Sequence, residues 1–97
     1  MASYLIPLQN LPDQTFFIEL GGKDCEIHIY LRHRYMYMDL KVEDKQIFQG
    51  IICLNGVNLN QYEHLGFKGE LKFIDTQGEE DPYYTGFEDR WELVYAQ

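Results

Sequence analysis

The sequence has few of the residues on which disulfide-stabilised domains and serine hydrolases depend. Its 97 residues include two cysteines, Cys25 and Cys53, and a single serine, Ser3. Small secreted domains held by disulfides are rich in cysteine, so we expect both cysteines to be reduced, with one Cys25–Cys53 bridge as the alternative. One serine near the start leaves no good nucleophile for a serine hydrolase. Long apolar runs are missing too, since no window approaches the roughly 18–20 apolar residues of a membrane-spanning helix.

Basic residues are also scarce. Eight lysines and arginines stand against sixteen acids, which gives a net charge of −8 and an isoelectric point near 4.6. Proteins that bind nucleic acids or anionic membranes cluster their basic residues, but here only Arg32 and Arg34 are close in the sequence. We therefore expect no nucleic-acid and no membrane partner, and we expect neutral or basic protein surfaces instead. The opening residues show neither part of a secretory signal, which predicts synthesis in a cytoplasm.

What the sequence does contain is an alternation of apolar and polar residues with a period of two. In residues 23–32, for example, Cys25, Ile27 and Ile29 alternate with polar side chains, as in a strand with one buried face. Length and pattern together predict one all-β domain over residues 1–97, a small sandwich or partly open barrel of six to seven mostly antiparallel strands. The predicted strands cover residues 4–8, 14–20, 23–32, 34–42, 47–54, 69–76 and 90–96.

Two further features depart from the regular strand pattern. Gly50 lies inside the fifth predicted strand, where a glycine often marks a β-bulge. Residues 57–66 have the only helical character in the chain, and they are predicted to form a short turn or an irregular loop.

No spacing of metal ligands or catalytic groups stands out. Cys25 and His28 are three residues apart, which on a strand turns their side chains to opposite faces, so a zinc site is not expected. The acidic run from Asp75 to Asp81 has glycine at its fourth position instead of its sixth, which does not match an EF-hand calcium loop. Motifs of nucleotide binding, metalloproteases and serine hydrolases are missing. The sequence therefore predicts no enzyme, no metal and no cofactor.

Aromatic residues make up 15% of the sequence, and several are predicted to be exposed. Tyrosine is favoured at protein interfaces because it adds a large contact area with a polar tip. Residues 75–92 add seven acids against one base, Arg90, and this segment is either a solvated loop or a patch that meets lysine and arginine on a partner. The candidate protein-contact residues are Tyr30, Tyr35, Tyr37, Glu79, Glu80, Asp81, Tyr83 and Tyr84. The predicted core includes Phe16, Ile18, Phe73, Trp91 and Leu93.

Several strand-and-turn phrases occur in an order that resembles a known family. The likeness runs from about Leu8 to Tyr95, and its strongest phrases are GELKFIDT at 69–76, DPYYTG at 81–86 and DRWELVY at 89–95. Upstream, the matching phrases are FFIELGG at 16–22, the run at 37–40 and Gly50. In this order the phrases resemble the small baseplate plug proteins of contractile-tailed bacteriophages, a family typified by a cyanophage baseplate plug.

The resemblance implies a structural virion protein without catalytic turnover. It implies a place in the tail baseplate, in several copies around the tail axis, after assembly in the cytoplasm of a bacterial host. The implied partners are the tail-tube initiator, the baseplate hub and the spike proteins, and the implied role is to plug or join tube and hub through protein–protein contacts. The residues alone leave a second interpretation open, a monomeric β-sandwich module that binds a carbohydrate or peptide through Tyr30, Tyr35, Tyr37 and Trp91.

Overall fold

The computed structural model describes residues 3–60 and 67–97, which form two antiparallel β-sheets. The strands in these residues are β1 (Ser3–Ile6), β2 (Asp13–Leu20), β3 (Lys23–Arg32), β4 (Tyr35–Val42), β5 (Lys45–Ile52), β6 (Glu70–Asp75) and β7 (Trp91–Ala96). One sheet has the order β2-β3-β4-β5 and the other the order β1-β7-β6. The prediction of an all-β fold with six to seven strands is confirmed, and the two open sheets do not form a closed barrel. Of the predicted turn or loop at 57–66, residues 61–66 lie outside the described residues.

The four-stranded sheet is a meander because two-residue turns join its successive strands. Gly21 and Gly22 have φ angles of 60° and 79°, and Glu43 and Asp44 have φ angles of 51° and 66°. Positive φ at both central residues suits the right-handed twist of the flanking strands, and glycine adopts it without steric cost. Glu43 and Asp44 adopt the same geometry despite their Cβ atoms, so the pairing of β4 with β5 overrides their local preference at this turn.

Both sheets turn one face inward, and their buried side chains form one hydrophobic core. Ile27, Ile29 and Met38 from the four-stranded sheet, and Phe73 and Leu93 from the other, each expose at most 1% of their surface. Burying an apolar side chain of this size stabilises the fold by roughly 1.5–3 kcal/mol. The alternation in the sequence therefore places on one face of each sheet the apolar side chains whose burial holds the two sheets together.

The edge position of β2 changes part of the predicted core. Phe73, Trp91 and Leu93 are buried as predicted, but Phe16 and Ile18 are only partly buried, although they pack against the core. Both lie on β2, which has a neighbouring strand on one side only. The two side chains therefore lack the cover that a central strand would receive from both neighbours.

A β-bulge interrupts β5 at the glycine that predicted it. Residues 49 and 50 of β5 lie opposite the single residue Asp39 of β4. Gly50 has a φ angle of 69°, and its N–H donates to Asp39 Oδ1 at 2.7 Å. The bulge thus supplies a backbone donor to a carboxylate on the outer face of the sheet.

Candidate protein-contact surfaces

The outer face of the four-stranded sheet carries a polar network centred on His28. The alternation of β3 buries Cys25 and turns His28 outward, which confirms the predicted divergence of these two side chains. His28 Nε2 lies 2.9 Å from Asp13 Oδ1 on β2, and Nδ1 lies 3.3 Å from Asp39 Oδ2 on β4. A neutral imidazole carries one N–H, so only a protonated His28 donates to both carboxylates. The network therefore links three neighbouring strands across the surface.

Two of the predicted contact tyrosines, Tyr30 and Tyr37, extend this network. The Tyr30 ring stacks on His28 with 4.6 Å between ring centroids and on Tyr37 with 6.0 Å. The Tyr30 hydroxyl donates to Asp39 Oδ1 at 3.2 Å. Burial, and then the charge of Asp39, raises the pKa of the Tyr30 hydroxyl. The two half-buried rings are held in place by groups of the protein itself.

The third predicted strand tyrosine, Tyr35, is 42% exposed, and a more exposed ring lies on the same face. Phe17 on β2 is 78% exposed and pairs across the strands with Glu26. The candidate contact residues predicted from the sequence did not include Phe17. A signal for it was present, since only one of two adjacent residues on a strand, here Phe16 and Phe17, can turn inward. We call Phe17, Tyr30, Tyr35 and Tyr37 the outer aromatic face.

The acidic segment that follows β6 is built around one buried carboxylate, Asp75. Its side chain has no exposed surface, and Arg90 binds it through two bonds, from Nε to Oδ1 at 2.8 Å and from Nη2 to Oδ2 at 2.7 Å. The backbone N–H groups of Gln77 and Glu80 donate to the same carboxylate at 2.9 Å each. The bonds from Arg90 outweigh the effect of burial and, with the backbone bonds, hold the pKa of Asp75 well below its usual range. Asp75 therefore belongs to the framework of this segment and adds no surface charge.

Arg90, the one base among residues 75–92, is engaged on several sides. Its Nη2 also donates to Glu80 Oε2 at 2.9 Å, and its guanidinium lies 4.5 Å from the centroid of the Trp91 ring. Trp91 is buried, and its Nε1–H donates to the backbone oxygen of Glu80 at 3.0 Å. The recognition-module interpretation, which used Trp91 as a surface residue, is wrong on this point.

The three predicted loop acids, Glu79, Glu80 and Asp81, are all exposed. Two of them also have structural contacts, since Glu80 pairs with Arg90 and Asp81 Oδ1 accepts the backbone N–H of Asn55 at 3.0 Å. The acids are thus displayed at defined positions by a loop whose ends are fixed. We call residues 76–90 the acidic loop.

The two predicted loop tyrosines are less accessible than the sequence suggested. Tyr83 and Tyr84 are partly buried, their rings lie 4.9 Å apart, and both pack against the core. A 3-10 turn at Tyr84–Gly86 follows, in which Gly86 approaches the Trp91 ring so closely that a Cβ there would lie 2.5 Å from its nearest ring carbon. This contact holds the turn against the core, and for that reason the tyrosines do not project freely into solvent.

Metal binding and thiol chemistry find no support in the described side chains. Among residues 3–60 and 67–97, no group of three or more His, Cys, Asp or Glu is arranged to hold a metal ion. Cys25 and Cys53 are buried free thiols, and burial raises the pKa of Cys25 to about 11 and that of Cys53 further still. The thiolate is the reactive form, so neither thiol is prepared for nucleophilic attack. No helix in the same two ranges is long and apolar enough to cross a membrane.

Nearly the whole chain matches one protein family. The family model described as cyanophage baseplate Pam3 plug gp18 matches residues 3–97. The chain belongs to this family. The match contains both the outer aromatic face and the acidic loop, and it confirms the resemblance carried by the strand-and-turn phrases. No curated protein matches the chain. Membership of a baseplate plug family gives the chain a structural role and a place in the tail baseplate of a virion.

Proposed function

We propose that the chain plugs or joins the tail tube and the hub of a contractile tail through protein–protein contacts, without catalysis. Its neighbours in this proposal are the tail-tube initiator, the hub and the spike proteins, and several copies surround the tail axis after assembly in the bacterial cytoplasm. The contacts are made by the outer aromatic face and by the acidic loop. The single observation that carries the proposal is the family match over residues 3–97.

The outer aromatic face suits a contact between proteins because it combines two positioned, half-buried rings, Tyr30 and Tyr37, with two exposed ones, Phe17 and Tyr35. Tyr30 is held by Asp39 and by the rings on either side of it, so binding would order it at little further cost. Phe17, which is 78% exposed, would contribute up to roughly 1.5–3 kcal/mol on full burial in a partner. Aromatic side chains of this kind are enriched at the centres of protein interfaces.

The acidic loop suits a basic partner surface because its own base is neutralised. Asp75 and Glu80 bind Arg90, which leaves the exposed acids Glu79 and Asp81 without a free positive charge in the same segment. Complementary charge across an interface fixes orientation and speeds encounter more than it raises affinity. We therefore assign the loop to docking and orientation, and the aromatic face to binding strength.

Incorporation into tails tests the loop. The triple variant Glu79→Gln, Glu80→Gln, Asp81→Asn removes three charges and keeps acceptors for the bonds to Arg90 and Asn55. We expect its free energy of unfolding to stay within about 1 kcal/mol of the wild type, because exposed ion pairs contribute little. We expect less of it in purified tails than of a control that loses three exposed charges elsewhere, Glu43→Gln, Asp44→Asn, Glu70→Gln.

The aromatic face is tested in the same assay with Tyr35→Ala, Tyr37→Ala against the matched pair Tyr35→Phe, Tyr37→Phe. The alanine pair loses the contact area and should incorporate poorly, whereas the phenylalanine pair keeps the rings and should incorporate well. Normal assembly of both the alanine pair and the loop variant would refute the contacts proposed here. A purified monomer that binds glycans through these tyrosines, and no tail protein, would favour the recognition module instead.

A further inference from the structure

Each sheet has two outer edges, and three of the four edges are protected against pairing with another chain. The edge of β6 is covered by the segment that follows β5: Gly56 N–H donates to Phe73 O at 2.8 Å and Leu59 N–H donates to Leu71 O at 2.7 Å. The edge strand β5 is distorted by register shifts, and β2 carries the charged residues Asp13 and Glu19. Covering, bulges and charges are common means by which proteins block unwanted strand addition.

The edge of β1 has none of these protections among the described residues. Its four residues pair in unbroken register with β7 on one side, and they end the three-stranded sheet on the other. Residues 1–12 contain no charged side chain. Tyr4 and Leu5 are 53% and 63% exposed. β1 therefore presents backbone groups and apolar side chains together, which is the combination that accepts an added strand.

A groove of about 750 Å³ lies at the end of β1, where Leu5, Ile6 and the following residues 7–11 form one wall and residues 87–93 form the other. Leu5, Leu8 and Leu11 contribute apolar surface to it. The acids Glu88, Asp89 and Glu92 also line it, whereas its only basic lining residue, Arg90, is engaged by Asp75 and Glu80. The groove thus offers apolar contacts beside unbalanced negative charge.

The two walls of this groove are joined by a reciprocal pair of hydrogen bonds. Asn10 N–H donates to Glu88 Oε2 at 2.9 Å, and Glu88 N–H donates to Asn10 Oδ1 at 2.9 Å. Because these bonds fix one wall against the other, the shape of the groove exists before anything binds. A preformed site lowers the entropic cost of binding.

We propose that β1 accepts an extended segment of another protein as an added strand, and that this segment carries lysine or arginine beside apolar residues. The apolar side chains would meet Leu5 and the groove, and the basic side chains would meet Glu88, Asp89 and Glu92. A second copy of this chain fits less well, since it would bring a further net charge of −8 to a groove that is already acidic. The site shares Glu88 and Asp89 with the end of the acidic loop. It uses neither the outer aromatic face nor Glu79 to Asp81, and it does not depend on the proposed roles of those residues.

A peptide-binding experiment tests the proposal on the full chain. The probe is a fluorescently labelled eight-residue peptide of alternating lysine and valine, and the matched control peptide alternates glutamate and valine. We expect the first to bind, with affinity falling as salt rises, and to slow hydrogen exchange at the amides of β1; we expect the second not to bind. The variant Leu5→Lys should weaken binding by about tenfold or more, whereas Val57→Lys, at an exposed residue that does not line the groove, should leave binding unchanged.

A second variant, Asp89→Asn, Glu92→Gln, tests the charge without touching β1 and should also weaken binding of the lysine peptide. Equal binding of both peptides, or unchanged binding by Leu5→Lys and by the double variant, would overturn the proposal. So would self-association in solution that Leu5→Lys abolishes, because the edge would then serve a second copy. If the peptide result holds while the wild-type chain itself does not enter tails, the plug role fails and the strand-addition site stands.

Discussion

The polar networks around Asp75 and around His28 contain similar groups at different depths. Each joins a carboxylate to a nitrogen base, and each places that base against an aromatic ring, with Arg90 4.5 Å from the Trp91 centroid and His28 4.6 Å from that of Tyr30. The Asp75 side chain is fully buried, whereas the Asp13 and Asp39 side chains are 68% and 21% exposed.

This difference in depth separates structural groups from groups that are available for contact. Interactions between charges weaken where water screens them, so a buried pair can brace the fold while an exposed pair contributes little to stability. The Asp75 network fixes the acidic loop, and the His28 network positions rings on a surface. Variants in the two networks should therefore differ in their effect on stability, and the following expectations run from the largest effect to the smallest.

Replacing Trp91 should have the largest effect. Trp91→Ala removes a buried indole beneath Arg90 and leaves a cavity, so we expect a loss of about 3–5 kcal/mol in the free energy of unfolding, measured by urea denaturation. Trp91→Phe keeps much of the packing and loses the bond from Nε1–H to Glu80, so it should cost less. A loss below about 1 kcal/mol for the alanine variant would show that the indole does not brace the loop.

Replacing Asp75 with asparagine should destabilise the protein less than Trp91→Ala, because it leaves no large cavity. The amide keeps an oxygen for only one of the N–H groups of Gln77 and Glu80, which donate to different carboxylate oxygens. The effect should depend on pH. The pKa of Asp75 is lowered in the folded protein, so its stabilising contribution is complete above about pH 5 and is lost as pH falls through the usual aspartate value near 4 toward the lower folded value. The difference in unfolding free energy between wild type and Asp75→Asn should thus be largest at pH 7 and should shrink by pH 3. A difference that stays constant over this range would argue against the Asp75–Arg90 pairing.

Replacing His28 should have the smallest effect. His28→Gln removes the ring stacked on Tyr30 and the contacts to Asp13 and Asp39, but all of these groups lie at least partly in water. We expect a loss of no more than about 1 kcal/mol in urea denaturation. A loss above about 2 kcal/mol would mean that the outer aromatic face is a structural element, and the contrast between the two networks would disappear.

Much of the fold follows from local patterns in the sequence. Alternation predicts β3 and β4 closely because these central strands have one buried and one exposed face. Glycine predicts the β-bulge at Gly50 and the turn at Gly21–Gly22, since both positions have positive φ. At the edge strand β2 the same pattern fails to separate core from surface, because the depth of a residue there depends on a neighbour that is missing on one side.

The long-range part of the site is not predictable from local patterns. Asp75 and Arg90 are fifteen residues apart, and they meet because β6 pairs with β7 in a register that puts Asp75 opposite Trp91. The same holds for Asp13, which reaches His28 only through the pairing of β2 with β3. Composition shows an excess of acidic residues in 75–92. It does not show which carboxylate is buried, or that this carboxylate pairs with Arg90, the one basic residue of the segment.

The buried thiols have a consequence for a protein of the virion tail baseplate. Burial raises the pKa of Cys25 to about 11 and that of Cys53 further, so both thiols stay protonated at neutral pH. A particle that waits outside its host meets oxygen without the reductants of the cytoplasm. Because both thiols are buried and protonated, they are poor targets for oxidants outside the host, and we expect the fold to be insensitive to thiol oxidation.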